Sequence, residues 1–294
     1  MVLTVDIGGT FIKWALAEGL ELTGMRGKVP TPQTTFEELV ETIARLAEDL
    51  SEQPEGVAVS LPGTVDASTG FIVQGGALQY ANDRNLVDAL HDRLGLSASI
   101  QNDARCAALA ELALGELRGC TDGVMVVIGT GVGGAVVSGG RLLTGATGAA
   151  GELSMLAVRP LRSEGMGGML GNRAGMRGLL AKAAEVLGRE SLTGEELIAL
   201  VNAGDAQAMA ALDDGLADLA DALLSLQFLL DPQRFVIGGG ISADETYMSH
   251  LLAAYDAAFA ALPFPAPRAQ VVPARFRNDA NLLGALVHYA RAAR

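Results

Sequence analysis

Cysteine is nearly missing from this chain. Only Cys106 and Cys120 occur in 294 residues, too few for a disulfide framework, so the expected compartment is the cytoplasm. Positive charge is also short. The net charge of -13 argues against nucleic acid or an anionic membrane as the main partner, because both need a basic face. Long apolar runs are absent as well. Gly or a charged residue breaks each one well short of a membrane span. The chain enters a strand at Val2 with no basic stretch and apolar core ahead of it, so no signal peptide is expected. Aromatics are few while Gly reaches 37 residues, a balance that suits an α/β enzyme with tight turns and not a disordered chain. Half of the residues are hydrophobic, enough for a large core in one large or two medium domains.

What is present begins with a glycine hairpin. Val2–Asp6 reads as a strand, Ile7-Gly8-Gly9-Thr10 as a tight turn, and Phe11–Ala17 as the returning strand. Adjacent glycines let backbone N–H groups converge on one point, which suits a phosphate, and the Thr10 hydroxyl adds to it. Asp6 stands where it would hold Mg²⁺ through water. An ordinary Gly-Gly hairpin has the same pattern, and Lys13 either helps hold phosphate or faces solvent. A second hairpin repeats the plan: Val124–Ile128, then Gly129-Thr130-Gly131, then Val132–Val137. VDIGGTFIKWALAEGLELTG and VIGTGVGGAVVSGGRLLTG share strand, turn, strand, Gly-rich bend and a closing Leu-Thr-Gly. A weaker echo links QNDARCAALA with RNDANLLGALV. Two imperfect copies suggest a duplicated domain with one phosphate turn from each half.

Between the hairpins, Ala98–Ile100 reads as a strand end and Ala104–Glu116 as a helix. Asn102-Asp103 therefore sits at an N-cap position. Either it is a cap, accepting a free backbone N–H, or it is a catalytic carboxylate with a neighbour gripping a substrate hydroxyl. Helices are also expected at Glu37–Leu50, Leu86–Leu94 (ended by Gly95), Met176–Leu187, Gly194–Ala203, Asp205–Leu230 and Ala253–Leu262. A last helix is expected from about Asn278, with Asn278-Asp279 as its cap. Gly56–Ser60, Arg234–Ile237 and Gln270–Val272 read as strands. The first runs into a Leu61-Pro62-Gly63 turn, and the second into Gly238-Gly239-Gly240, where a flat ligand can approach the backbone. Gly75–Asn85 reads as an irregular polar rim of a substrate cleft. Ser163–Gly171 reads as a flexible or ligand-lined loop, and GATGAAGEL at 145–153 carries one acid, Glu152.

With DIGGT at 6–10, NDA at 102–104, GTGVGG at 129–134, GAAGE at 148–152 and IGGGIS at 237–242, the chain resembles the ROK family of sugar kinases over nearly its whole length. The resemblance implies an α/β, actin-like (hexokinase and ribonuclease-H-like) duplicated fold with two domains around a cleft. The expected division is residues 1–116 plus 279–294 against 117–278. It also implies ATP- and Mg²⁺-dependent phosphorylation of a hexose, usually at its 6-hydroxyl, and commonly a homodimer. Asp103 would be the general base, and Asn102 would bind sugar hydroxyls. Glu152 would bind the ring near its first carbons, and Pro62 and Gly63 would border it. Gly8, Gly9, Thr10, Gly129, Thr130 and Gly131 would cradle the phosphates, and Gly239 and Gly240 would lie against the adenosine.

One departure is informative. Many members follow Gly-Glu with a Gly-His pair and a Cys-rich zinc loop, the His serving both the zinc and the sugar. Here the pair is Ser154-Met155, and residues 156–178 hold no Cys or His. No structural zinc is expected. The branch similar to β-glucoside kinases also lacks that loop, and losing the His opens room near the anomeric carbon. Two rival functions remain at this level. A repressor of the same fold would need a DNA-binding module ahead of the phosphate strand. A degenerate sugar-binding protein would fit the lost His, but Asp6, Asp103 and both turns oppose it.

Overall fold

The apolar strands expected from the sequence build two five-stranded sheets of one plan, beside a small three-stranded one. In the computed structural model, described for residues 1–292, the chain opens with β1 (Val2–Ile7), β2 (Phe11–Glu18), β3 (Glu21–Pro30), α1 (Phe36–Glu48) and β4 (Gly56–Leu61). Three short strands, β5 (Thr64–Asp66), β6 (Phe71–Gln74) and β7 (Arg84–Asn85), lead to α2 (Leu86–Leu94), β8 (Ser97–Asn102) and α3 (Asp103–Leu114). Then come β9 (Gly123–Ile128), β10 (Val132–Ser138), β11 (Arg141–Leu142), α4 (Leu161–Glu164), α5 (Leu170–Arg173), α6 (Met176–Val186), α7 (Gly194–Asn202) and α8 (Ala206–Leu230). The chain closes with β12 (Arg234–Gly238), α9 (Glu245–Ala260), β13 (Gln270–Pro273) and α10 (Ala280–Ala292).

The chain divides into two compact units. The first holds Met1–Arg118, Thr144–Ala150 and Asn278–Arg294, and the second holds Gly119–Leu143 and Gly151–Arg277. Residues 144–150 thus fold with the first unit although the chain on either side belongs to the second, an excursion absent from the sequence-based division.

In the first unit the main sheet runs β3-β2-β1-β4-β8. The β1–β2 pair is antiparallel, while β1–β4 and β4–β8 are parallel. Helix α1 buries Phe36, Leu39, Val40, Ile43 and Ala47 at helical spacing, the stripe that packs it on this core. Thr35 caps it by accepting the Glu38 N–H at 3.1 Å, and α2 ends where Gly95 takes φ 69°. Helix α3 is buried from Ala104 to Glu111. A helix buried all round needs small side chains wherever another backbone approaches. On α10, a Cβ at Gly284 would lie 1.7 Å from the Cys106 carbonyl oxygen, so α3 and α10 touch backbone to backbone there.

In the second unit the sheet order β11-β10-β9-β12-β13 repeats that of the first. The β9–β10 pair is antiparallel and the β9–β12 and β12–β13 pairs are parallel. The core joins Val124, Val126 and Ile128 with Phe235 and Ile237 under the leucines of α8. Thr193 and Glu196 form a reciprocal capping box on α7. Asp205 caps α8, which stops at Asp231 with φ 45°.

Three local expectations need correcting. Residues 163–171 lie within short helical turns, not in an open loop, and bury Leu170 and Gly168. Residues 75–85 are not simply a polar rim, because Leu78 and Ala81 are fully buried. Helix α9 begins at Glu245, two turns before Ala253, because Asp244 caps it by accepting the Tyr247 N–H at 2.9 Å. The last helix, α10, expected from about Asn278, begins at Ala280, after a 3₁₀ turn at 277–279, and the Asp279 carboxylate pairs with Arg26 at 3.1 Å.

Candidate active site

In open α/β sheets, ligand-binding side chains gather at the carboxyl ends of the parallel strands. The first unit has that arrangement. Asp6 sits at the end of β1, opposite Ser60 of β4, which in turn lies opposite Gln101 of β8. The Asp6 Oδ1 accepts the Ser60 hydroxyl at 2.8 Å and the Asn281 side-chain amide of α10 at 3.1 Å. Burial pushes the Asp6 carboxyl above its ordinary range, against the hydrogen bonds from Ser60 and Asn281 and the charge of Lys13. Lys13 itself is exposed and faces Asp6 directly across the β1–β2 pair.

Asn102 ends β8 and caps α3, its side-chain oxygen accepting the Arg105 N–H at 3.1 Å. Its amide group donates to the Gly63 carbonyl at 2.8 Å and to Asp103 Oδ1 at 3.0 Å. Both amide donors are thereby used. Asp103 Oδ1 also accepts the Ala104 N–H at 2.8 Å. Pro62, Gly63, Asn102 and Asp103 are therefore one connected patch. Gly63 is at φ 96°, and a Cβ there would stand 2.1 Å from the Gln74 carbonyl oxygen, so only glycine fits without the turn moving.

The turn at 8–10 is shaped for an anion. Its carbonyls are drawn away: the Gly8 oxygen accepts the Thr31 hydroxyl at 2.7 Å, Gly9 accepts the Gln33 amide at 2.9 Å, and Thr10 accepts the Thr31 N–H at 3.0 Å. In a planar trans peptide the N–H points opposite the carbonyl, so the Gly9 and Thr10 N–H groups face the other way, as a phosphate nest requires. The turn at 129–131 achieves the same by different means. The Gly129 and Thr130 carbonyls accept the Met176 and Arg177 N–H groups of α6 at 2.9 and 3.1 Å.

Gly129, Thr130 and Gly240 lie in the wall of a cavity of about 1050 Å³ within the second unit. Ile128, Ile198 and Ile241 supply apolar wall, and Arg177, Asn202 and Asp244 supply polar groups. An apolar slot with a few polar groups suits a flat base and its ribose. Gly239 does not line it. At φ 90°, Gly239 packs behind the cavity, and a Cβ would stand 1.9 Å from the Ile128 carbonyl oxygen.

Glu152 precedes the 3₁₀ turn Leu153–Met155, also in the second unit. That turn is fixed on β10 by close packing. A Cβ on Gly134 would lie 2.2 Å from Leu153 Cγ, and one on Gly151, at φ 85°, would lie 3.1 Å from Ala135 Cα. After it, the buried Asp218 of α8 pairs with Arg159 at 2.7 Å and Arg173 at 2.5 Å. This ionic clasp holds together the stretch where the resemblance would have put a zinc loop. Among the described residues, no group of three or more His, Cys, Asp or Glu side chains is placed to hold a metal ion, and no helix is long and apolar enough to cross a membrane.

Sequence reasoning missed Ser60 and Asn281 as partners of Asp6, and the cavity wall from α6, α7 and Asp244. Asn281 follows the second Asn-Asp by two residues, so the NDA echo was its one available signal.

The ROK family model matches residues 2–291. A β-glucoside kinase of Listeria monocytogenes is 33% identical over 98% of this chain and 97% of its own length. The ROK hexokinase of Thermus thermophilus is 30% identical, covers 99% of each chain and superposes with a TM-score of 0.83. A Streptomyces griseus ROK glucokinase, solved with glucose and AMPPNP, is 26% identical over 97% of each chain, with a TM-score of 0.82. The duplicated α/β plan is the actin-like fold of these sugar kinases.

Proposed function

The chain belongs to the ROK family of carbohydrate kinases, and from that premise we propose that it transfers the γ-phosphoryl group of ATP to the 6-hydroxyl of a hexose or hexoside, with Asp103 as the general base. The observation that carries this reading is the tethering of Asp103. Two N–H donors on one carboxylate oxygen fix the side chain at the start of α3, and orientation is what phosphoryl transfer asks of its base. Asn102 serves in this reading by holding Asp103 and the Gly63 turn, and through its remaining acceptor capacity toward a sugar hydroxyl. As the 6-hydroxyl attacks, its proton passes to Asp103 while the bond between the γ-phosphorus and the bridging oxygen breaks toward ADP.

In this reading each glycine turn offers N–H groups to phosphate oxygens, and the second unit's cavity takes the adenosine. That apolar wall supports a nucleotide donor over polyphosphate, which offers nothing to fill it. Mg²⁺ bound to the donor phosphates would neutralise their charge. Asp6, one buried carboxylate, fits a metal held mostly by phosphate oxygens and water.

For the acceptor, a β-glucoside is favoured. The relative with that activity is similar over nearly the whole chain, and Ser154-Met155 stands where many family members carry Gly-His. Met155 is 59% exposed, and an adaptable thioether suits a variable aglycone.

The test is ADP release with Mg-ATP over hexoses, N-acetylhexosamines and β-glucosides, wild type beside Asp103→Asn. The expected result is sugar-dependent turnover, best on a β-glucoside, that falls about 10²–10⁴-fold in the variant. Full activity in Asp103→Asn would remove Asp103 from its role. A sugar that raises Tm without releasing ADP would make the protein a binder and not a kinase.

A further inference from the structure

Arg105 is buried, with only 4% of its surface exposed, two residues after Asp103 on α3. A guanidinium is almost never buried without acceptors. Its Nη2 donates to the main-chain carbonyls of Gly148 and, at 3.2 Å, Ala150. Those carbonyls belong to residues 144–150, the excursion that folds with the first unit between two stretches of the second. Among the described residues, the bonds to this segment are few. It has no regular secondary structure, residues 144–147 and Ala149 are exposed, and one internal bond closes it, from the Ala150 N–H to the Thr144 carbonyl at 3.3 Å. Glu152 follows two residues later.

We propose that Arg105 is a positioning residue for the sugar: by gripping the Gly148 and Ala150 carbonyls it anchors the chain leading to Glu152 onto the helix that begins with Asp103. The proposal rests on the reading of Glu152 as a sugar contact. Charge-assisted bonds to two carbonyls from one planar group fix direction as well as distance. An ammonium keeps three donors but sits on a looser stem with no planar group to fix their direction, and a thioether has no donor. Loss of the anchor therefore weakens acceptor binding and leaves the nucleotide cavity of the second unit unchanged.

Two measurements on Arg105→Met, Arg105→Lys and wild type test this. In steady-state assays the Met variant is expected to raise the sugar KM at least about tenfold, with KM for Mg-ATP within about twofold. Arg105→Lys should recover part of the loss. Equal movement of both KM values, or an unchanged sugar KM in the folded Met variant, overturns the proposal. Hydrogen exchange by mass spectrometry, on Arg105→Lys if Arg105→Met does not fold, gives a readout independent of activity. Faster exchange confined to residues 144–152 is expected, and exchange there matching wild type overturns the anchor. If wild type phosphorylates no sugar, the kinase reading fails. The exchange result, with the sugar-induced Tm shift of each variant, still decides whether Arg105 holds the segment for binding.

Discussion

The two hairpins share a topology and differ in what surrounds one position. In the first sheet that position is Asp6, opposite Lys13 on β2 and Ser60 on β4. In the second it is Val127, opposite Gly133 on β10 and Gly238 on β12. A charged residue flanked by a cation and a hydroxyl has become a valine between glycines. The turns next to them stay alike, both with carbonyls tied back and N–H groups turned out. Duplication thus kept the backbone device of tied carbonyls and outward N–H groups, which depends on chain geometry. It kept the acid on one side only, where burial and three polar neighbours can tune it. With no polar side chain at position 127, the second copy offers flat backbone and isoleucine wall beside a few polar groups, which under the proposed function suits a nucleobase.

Removing the acid should break this asymmetry with the largest effect. Asp6→Asn is expected to lower kcat about 10²–10³-fold, measured by coupled ADP release at saturating sugar and Mg-ATP. Adding Val127→Asp should restore nothing, because no hydroxyl or lysine faces position 127. The same variant should raise the apo protein's Tm at neutral pH. Burial raises the Asp6 carboxyl above its unfolded value, so the folded state binds the proton more tightly and charging it opposes folding. That penalty is present above the folded pKa and relieved as pH falls through it, so the Tm gap between variant and wild type should close on acidification. A Tm lower than wild type at neutral pH, or a gap that widens in acid, would contradict the origin of the shift.

The glycine devices should fail separately, one substrate at a time. Gly239→Ala puts a methyl group against the Ile128 carbonyl and disturbs the cavity wall. An L-residue at such a φ costs about 1–3 kcal/mol, and the expected result is a KM for Mg-ATP raised about tenfold. Gly63→Ala meets the Gln74 carbonyl instead and should raise the sugar KM. If both variants move the same KM, the division of labour between the two sheets is wrong.

How much of this could be read beforehand follows the range of each interaction. The hairpins and the Asn102-Asp103 junction were legible because glycine clusters, alternating apolar strands and caps are local signals. Asn281 was not, since its hydrogen bond to Asp6 spans nearly the whole chain. The walls from α6 and α7 are ordinary amphipathic helices whose cavity-facing side exists only after packing. Residues 163–171 read as loop because their Gly and Met content hides short turns, in a stretch flanked by the Arg159 and Arg173 pairs to Asp218. The start of helix α9 is hidden because Glu245 to Leu252 mixes polar and apolar residues, and its boundary is set by the Asp244 cap. Several site residues marked from sequence are brought together. Asp6, Pro62, Gly63, Asn102 and Asp103 gather at the strand ends of the first unit, and Gly129, Thr130 and Gly240 meet at one cavity in the second. Gly239, next to Gly240, packs on the Ile128 carbonyl.

The smallest effect concerns Lys13, the partner that position 127 lacks. Its ammonium is exposed and screened by solvent, yet it is one of the influences that lower the Asp6 carboxyl. Removing it in Lys13→Met should let the Asp6 pKa rise further, because the charged form loses an opposing charge. The deprotonated enzyme then appears at higher pH, so the acid limb of kcat against pH should move upward by a small amount while the plateau stays level. High salt, which screens the ammonium in wild type, should shrink the difference between the two profiles. A fallen plateau with a raised KM for Mg-ATP would give Lys13 the other role open to it, a direct grip on phosphate, and the first hairpin would then differ from the second by two ligand-binding side chains instead of one.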